Sequence, residues 1–277
     1  MQIWKYLYIT LILILSVIVM AIFQLPDGYL HIVACDVGQG DAILVIYKNI
    51  QILTDGGPNN RVLECLSKHV PFWDREIELA ISTHPQKDHY FGLIEVFKRY
   101  KVDNFLYNNV ESGSVDYQVL KKEVGGSGTK VIRPHTGQVL RVGMIYLDIL
   151  NPDSGFSDPN ANNIGVVDLL KFGKFKAIFT ADVENKISDG LSALGEVEGV
   201  NYLKVNHHGS KNGLSEMLVK ALYPQVAVIS VGKNNIYGHP HKEILDLLGK
   251  YNIRVLRTDM GGDVIVSTDG EKYWIGK

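Results

Sequence analysis

Residues 77–91, IELAISTHPQKDHYF, decide how this chain is read. Ile77, Leu79, Ala80 and Ile81 form the short apolar run expected of a buried strand. The run stops at Ser82 and Thr83, and His84, Gln86, Lys87, Asp88 and His89 crowd a short turn before helical character returns over residues 90–100. Imidazole and carboxylate groups are the usual protein ligands of Zn²⁺ and Mn²⁺. Where a chain leaves a sheet edge, strand alternation no longer holds, so His84, Asp88 and His89 can all face one point. A plainer account stays open at this stage, with Asp88 capping the helix and the histidines facing solvent.

Three later segments repeat the pattern of an apolar run ending in polar residues. Residues 175–180 lead into Ala181 and Asp182, and an aspartate there can reach into a cleft and bridge two cations. KVNHHGS (204–210) puts two histidines side by side. Neighbouring side chains diverge, so one of His207 and His208 can ligate metal while the other meets substrate, with His208 read as the one nearer substrate. NNIYGHPH (234–241) adds His239 and His241. Together with His84, His89 and His135, most histidines fall in or near such loops. Two acidic turns accompany them, CDVGQGDA (35–42) and LTDGG (53–57), and Asp36 or Asp55 can fix the tautomer of a ligand histidine. The first turn lacks the spacing of a dinucleotide loop. Lys87, Lys204 and Lys211 stand beside the candidate ligands and can draw a polyanion to them.

The rest of the chain reads as an α/β fold. Strands are expected over residues 29–34, 42–47, 50–53, 77–82, 102–106 and 129–132, with helices over 61–69 and 115–123 and a glycine loop at 125–128. A hairpin follows at 139–142 and 145–150, then a long loop over 151–163. Strands at 164–170, 175–180, 202–205, 226–231, 253–257 and 264–267 enclose helices at 183–194, 214–222 and 241–248. Hairpins at the start and strand–helix alternation later predict two mixed sheets covered by helices rather than one parallel sheet.

Before this domain, residues 6–25 carry no charge, and 20 residues of helix span about 30 Å, the thickness of a bilayer's hydrocarbon core. The expectation is a membrane anchor over residues 1–27 and a soluble domain over 28–277. Lys5 before the run puts the N-terminus in the cytoplasm and the domain outside it. A cleaved signal peptide is the competing account; lipidation at Cys35 is disfavoured because that residue sits inside the first strand. A net charge of -2 excludes a coat protein held to nucleic acid by overall charge alone. Two cysteines exclude a disulfide-dense scaffold and a four-cysteine zinc module; Cys35 and Cys65 are read as buried thiols able to form one bridge at most.

The ordered set DVGQGDA (36–42), LTDGG (53–57), THPQKDHYFGL (83–93), FTAD (179–182), VNHHGS (205–210) and YGHP (237–240) resembles the metallo-β-lactamase fold. Within it, the set is most similar to the exported hydrolase domain of the ComEC/Rec2 DNA-internalisation family, over residues 30 to about 270. The resemblance implies a four-layer αββα sandwich with a metal site at the shared edge of its sheets. It also implies a hydrolase that degrades the DNA strand not taken up. Asp88, His89, Asp182 and one of His207 and His208 would hold one ion. His84 and Asp182 would hold a second, helped by Gln86 and Asn163. Gln86 departs from the fold's His-x-His-x-Asp-His pattern, and asparagines (Asn151, Asn162, Asn163) stand where two-zinc members carry a further histidine. One or two ions, Zn²⁺ or Mn²⁺, are expected. Asp182 would place the ions and the activated water, and His208 or His239 would protonate the leaving oxygen or bind the phosphoryl group. With one candidate span the chain is not itself a channel, so a separate channel subunit is the expected partner. A phosphorylated envelope polymer, a small ester, or a non-catalytic binding role are the alternatives.

Overall fold

Strand Ile43–Tyr47 reads ILVIY, and all five residues are buried. Leu44 and Ile46 belong to one apolar cluster and Ile43, Val45 and Tyr47 to another. A strand apolar on both faces needs a layer on each side, and this requirement organises the molecule. The computed structural model describes residues 2–108, 110 and 112–276; Met1 and Lys277, the outer limits of the expected anchor and domain, lie outside the described residues.

In chain order the elements are α1 (Gln2–Phe23), β1 (Leu30–Ala34), β2 (Ile43–Tyr47), β3 (Ile50–Thr54), α2 (Arg61–His69), β4 (Glu76–Ser82), α3 (Lys87–Arg99), β5 (Lys101–Tyr107), α4 (Val115–Gly126) and β6 (Lys130–Ile132). Then come β7 (Val139–Val142), β8 (Ile145–Asn151), β9 (Val167–Phe172), β10 (Phe175–Phe179), α5 (Asn185–Leu191), β11 (Tyr202–Lys204) and α6 (Glu216–Leu222). The chain closes with β12 (Val226–Ile229), α7 (Lys242–Lys250), β13 (Arg254–Arg257), α8 (Thr258–Gly261), β14 (Val264–Thr268) and β15 (Tyr273–Ile275). One sheet has the order β15-β14-β1-β2-β3-β4-β5-β6 and the other β13-β12-β11-β10-β9-β8-β7. In each, an antiparallel part joins a parallel part: β3 to β6 run parallel, as do β10 to β13.

Three apolar layers hold this together. Ile43, Ile81, Leu147, Leu170 and Phe179 meet between the sheets. Leu66 of α2, Leu93 and Phe97 of α3 and Leu120 of α4 pack on the outer face of the first sheet. Leu191, Leu218 and Leu248 cover the second from α5, α6 and α7. The architecture is helix, sheet, sheet, helix, the expected αββα sandwich. Each buried aliphatic side chain contributes about 1.5–3 kcal/mol, so a truncation such as Leu170→Ala strikes the layer that joins the two halves.

Several local expectations are corrected. Helix α3 starts at Lys87, so Asp88 and His89 lie in its first turn rather than in a free loop; Gln86 is its extended N-cap, just after Pro85. Gly125 and Gly126 end α4 instead of forming a loop, because Val124 is buried against the first sheet and holds the last turn. Strand β9 begins at Val167, since residues Ala161–Ile164 coil into a 3₁₀ turn. The expectation of two buried thiols is also overturned. Cys35, just after β1, is disulfide-bonded to Cys65 of α2 across a Cα–Cα distance of 5.8 Å. The pairing is invisible in spacing because only the packing of α2 over the end of β1 brings the two together. Helix α1 contains a stretch, Ile3–Ile22, long and apolar enough to cross a membrane by length and composition, and none of it is buried by the rest of the protein.

Candidate metal centre

Strands β3, β4, β10, β11 and β12 all deliver their C-terminal ends to one edge of the sandwich, and there the backbone is strained. Asp55 (φ 60°), Ala181 (φ 46°), His207 (φ 48°) and His208 (φ 54°) occupy the left-handed region that non-glycine residues avoid. Such outliers persist where surrounding bonds over-determine them, and they cluster at working sites. The bonds are visible: His207 N donates to Ala181 O at 3.1 Å, and Thr180 Oγ1 to Lys204 O at 2.5 Å, lacing the ends of β10 and β11 together. Gly40 has a specific reason to be glycine, because a Cβ there would run into the carbonyl oxygen of Asp88. The absence of that atom lets the 35–41 loop close over the start of α3, where Asp41 N donates to Asp88 O at 3.2 Å.

Three histidines at this edge are held the same way. His89 Nδ1 lies 2.8 Å from Asp55 Oδ2, His208 Nδ1 2.9 Å from Ser230 O, and His84 Nδ1 2.9 Å from Thr83 Oγ1. Asp55 in turn accepts from Thr83 N and Oγ1. Each ring is therefore anchored through Nδ1, and each Nε2 is buried without a hydrogen-bond partner. Both carboxylate oxygens of Asp182 are equally without one. Asp182 Oδ2 is 3.2 Å from His89 Nε2 and 3.3 Å from His208 Nε2, while Asp88 Oδ2 is 3.9 and 3.6 Å from the same atoms. Buried polar atoms are almost always paired, so the orphaned Nε2 atoms of His89 and His208 beside the orphaned oxygens of Asp182 mark a place for something else. Imidazole nitrogens and carboxylate oxygens at such spacing fit a divalent cation.

The structure adds Asp41 to the centre and gives Lys204 a different place from the one expected. Asp41 lies within 4.8 Å of donor atoms of His89, Asp182 and His208. Its oxygens, however, face the Nδ1 sides of the rings, 3.8 Å from His89 and 3.5 Å from His208. Chemically it braces the ligands from behind rather than joining them. Lys204 is fully buried and pairs with Asp41, with Asp182 Oδ1 3.7 Å away and Ala181 O at 3.2 Å. The expectation that Lys204 draws in a polyanion is thus corrected, since its ammonium never meets solvent. A two-glycine turn running straight into a wholly apolar strand was the available sign that Asp41 is carried inward.

The other candidates scatter. His207 is partly exposed, with Nε2 3.8 Å from Asp182, while His208 is buried with Nε2 at 3.3 Å, so His208 takes the inner position and His207 the outer one. The ring of His239 stands 5.7 Å from that of His207 and 6.4 Å from that of His208, and its Nδ1 is buried without a partner. Gln86 donates to Asn162 Oδ1 at 2.5 Å. Asn163 Oδ1 accepts from Glu184 N, and Asn151 is spent on the carbonyls of Asn163 and Gly165. His135 lies apart on an exposed loop, and His241 accepts from Lys211 N ahead of α7. Lys87 pairs with Asp116 at 2.8 Å. Asp55 holds a histidine as expected, whereas Asp36 pairs with Arg61.

Electrostatically the centre is acidic and closely coupled. Burial opposes charge on Asp182, but His208 and His89 outweigh it and hold its carboxyl well below the usual range. Burial likewise opposes charge on His89 and His208, yet Asp182 and their other carboxylate neighbours hold both imidazoles well above theirs. Burial, then His89, pushes His84 down to about 3, and burial, then His208, pushes His239 down to about 4. The carboxylates that favour positive charge on these imidazoles would equally favour a cation, which imidazole binds only in its deprotonated form.

The chain matches no protein-family model. It is similar to ComE operon protein 3 of Bacillus subtilis (strain 168), 33% identical over 194 residues, which is 69% of this chain and 24% of that protein. It is also similar to Recombination protein 2 of Haemophilus influenzae, 26% identical over 261 residues, 92% of this chain and 31% of that protein. The chain therefore spans about a quarter to a third of the length of these relatives. Among solved structures, the metallo-beta-lactamase fold protein YhfI from Bacillus subtilis superposes with a TM-score of 0.58 at 14% identity, covering 89% of this chain and all of that one. CmlA, a diiron beta-hydroxylase from Streptomyces venezuelae, superposes with a TM-score of 0.54 at 16% identity, covering 86% of this chain and 52% of that one. The fold is the metallo-β-lactamase fold, and at the edge where its sheets meet it gathers His and Asp donors spaced to hold a metal ion. CmlA shows that the fold alone does not fix the chemistry.

Proposed function

We propose that the chain is a metal-dependent phosphodiesterase that cleaves DNA outside the cytoplasm, with residues 1–27 as its membrane anchor and 28–277 as its hydrolase domain. The convergence of the His89 and His208 Nε2 atoms on the bare Oδ2 of Asp182, with the ring of His84, its Nε2 also unpartnered, 4.1 Å from that of His89, carries the metallohydrolase part. His89, His208, Asp182 and Asp88 are the ligands of the better-furnished site, and His84 and Asp182, with Gln86 nearby, those of a looser second one. A divalent cation held there, Zn²⁺ or Mn²⁺, supplies a Lewis acid and a water acidified toward neutrality. Asp182 sets where that water stands. His207, rather than His208, meets the substrate from the outer side, and His239 presents an imidazole N–H to the leaving oxygen. Asp55, Ser230 and Thr83 keep the ligand rings in one tautomer, which spares reorganisation during turnover.

The DNA part rests on the resemblance of the motif set to the ComEC/Rec2 family and on the similarity to ComE operon protein 3 and to Recombination protein 2, whose name ties it to recombination. An oxidised Cys35–Cys65 pair supports a domain outside the reducing cytoplasm. A separate membrane channel is the partner this reading implies. The test loads the full chain, in detergent or nanodiscs, with Mn²⁺ or Zn²⁺ and offers single-stranded DNA, duplex DNA and bis-p-nitrophenyl phosphate. Chelator-sensitive cleavage of DNA, weakened by salt and abolished by D182A with an unchanged melt, is the expected result. Turnover of the small phosphodiester without DNA cleavage would move the substrate to another envelope phosphodiester. No turnover of any substrate by the metal-loaded chain would sink the enzymatic reading.

A further inference from the structure

The end of the molecule opposite the metal centre carries an aromatic surface. Among the described residues, the tryptophans and phenylalanines that are exposed outside α1 are Phe72 (49%), Trp73 (45%) and Trp274 (40%), and Tyr29 (43%) joins them. They form two edge-on pairs, Phe72 with Trp73 at 4.9 Å and Tyr29 with Trp274 at 4.8 Å between ring centroids. Both pairs flank the segment that leaves α1. Gln24 Oε1 accepts from Phe72 N at 3.1 Å on one side, and Tyr29 N donates to Asp27 Oδ1 at 2.9 Å on the other. Exposed Lys48, at the tip of the β2–β3 hairpin, stands on the same side and borders the same cleft as Gln24 and Asp27.

Strand register fixes what this end faces. Leu30, Tyr47, Ile50, Thr268 and Tyr273 lie in one row across β1, β2, β3, β14 and β15. The opposite row is Ala34, Ile43 and Thr54, with Ile81 beside Thr54, and the next residues along the chain are those of the metal centre. Seven residues of β4 separate Glu76, close to the aromatic end, from Ser82, close to His84, a span of about 20–25 Å.

We propose that Phe72, Trp73, Tyr29 and Trp274 seat the domain on the bilayer that holds α1, in the headgroup layer, so that the metal centre opens away from the membrane. This rests on reading α1 as an anchor. Tryptophan and tyrosine favour that layer because an apolar ring and a polar N–H or O–H are satisfied there together. Lys48 adds a cation facing anionic headgroups. The consequence concerns substrate: a centre held about 20 Å or more above the headgroups reaches polymers and solutes of the aqueous phase, not the phosphodiesters of its own membrane lipids.

Fluorescence quenching by brominated lipids tests this on the full chain in vesicles of phosphatidylcholine and phosphatidylglycerol. W4F leaves Trp73 and Trp274 as reporters. Bromines placed high on the acyl chain should lower their emission by about half or more, and deep bromines should do less. W73F/W274F leaves Trp4 to report on α1 itself. Y237W, placed in a W4F/W73F/W274F background, reports from beside His239 and should be unaffected. Unquenched W4F alongside quenched Trp4 would show an inserted anchor with the domain lifted clear, which overturns the seat but not the anchor. Absence of quenching at Trp4 as well would remove both. Equal quenching of the Y237W reporter and W4F would overturn the orientation.

Discussion

Two groups of potential metal ligands occupy this molecule, and only one behaves like a site. Asp41, His89, Asp182 and His208 form the first group, and Cys65, His69 and Asp263 the second; in each, the donor atoms lie within 4.8 Å of one another. In the second, every group is already engaged. Cys65 is in the disulfide, and Asp263 accepts from Lys68 at 2.9 Å, His69 at 3.0 Å and Asp36 N at 2.9 Å. It is a latch that ties α2 to the 35–41 loop and to the start of β14. In the first, the Nε2 atoms and the Asp182 oxygens have no such partner. Proximity of ligand types is therefore a weak criterion; what separates a site from a latch is whether the inward-facing atoms are satisfied.

The sharpest way to break this contrast is to delete one residue from each group. H208A should lower metal affinity by about 100-fold or more in titration calorimetry, because it removes a ligand rather than a supporting group. H207A should leave affinity within about threefold while lowering turnover, as expected of an outer residue. D263A should leave affinity unchanged. If D263A and H208A weakened binding equally, the distinction between the two groups would be lost.

The disulfide gives the next largest effect. C35A/C65A releases a loop closed over a sequence separation of 30, which costs about 3–4 kcal/mol on the chain-entropy account. Chemical denaturation should show that loss, while the metal affinity of the folded variant stays near wild type. A collapse in affinity matching that of H208A would make the latch part of the site.

How much of this was legible in the sequence follows from what each feature depends on. His84, Asp88, His89, Asp182 and the histidine pair could be found because strand-end loops are written as local breaks in apolarity. The layered fold could be read because hairpins come early in the chain and strand–helix alternation later, an order that local apolar runs and turn residues write directly. Asp41, Lys204 and the disulfide could not, since each is defined by a partner far along the chain: Asp41 meets Lys204, and Cys35 meets Cys65, only after the sheets assemble. Which of His207 and His208 points inward was equally hidden, because it depends on two left-handed residues in succession.

Asp168 sharpens the contrast from another direction. It is fully buried in β9, opposite Ile149 and Phe179, and neither carboxyl oxygen has a hydrogen-bond partner. Orphaned atoms alone do not make a site, and this carboxyl belongs to neither group of candidate ligands. Burial, then Asp55, pushes it up to about 8. A carboxyl raised above its unfolded value of about 3.9 binds more protons folded than unfolded, so its contribution to stability falls as pH rises from about 4 to about 8. D168N should flatten that part of the stability curve. D168L should stabilise the fold at pH 7 by about 1–3 kcal/mol, read from the denaturation midpoint. A steeper slope in D168N than in wild type would contradict the sign.

The smallest effect concerns residue 86, where the two sides of the centre differ most. His89 and His208 share Asp182 and Asp88, but His84 has only Asp182 and whatever residue 86 offers. Gln86 presently gives its amide to Asn162, and a glutamine oxygen is a neutral, weak ligand in any case. Gln86→Asp replaces the amide with a shorter, charged carboxylate at the extended N-cap of α3, a position that tolerates aspartate and favours negative charge. If the His84 side is a loose second site, Q86D should tighten the weaker of two binding events by about three- to tenfold and leave the stronger unchanged. Turnover at limiting Mn²⁺ should rise with it, and the melting temperature should hold or increase slightly through the better cap. A single binding event, unaltered by Q86D in a well-folded protein, would instead show a one-ion centre in which His84 is a neighbour of the ligands and not one of them.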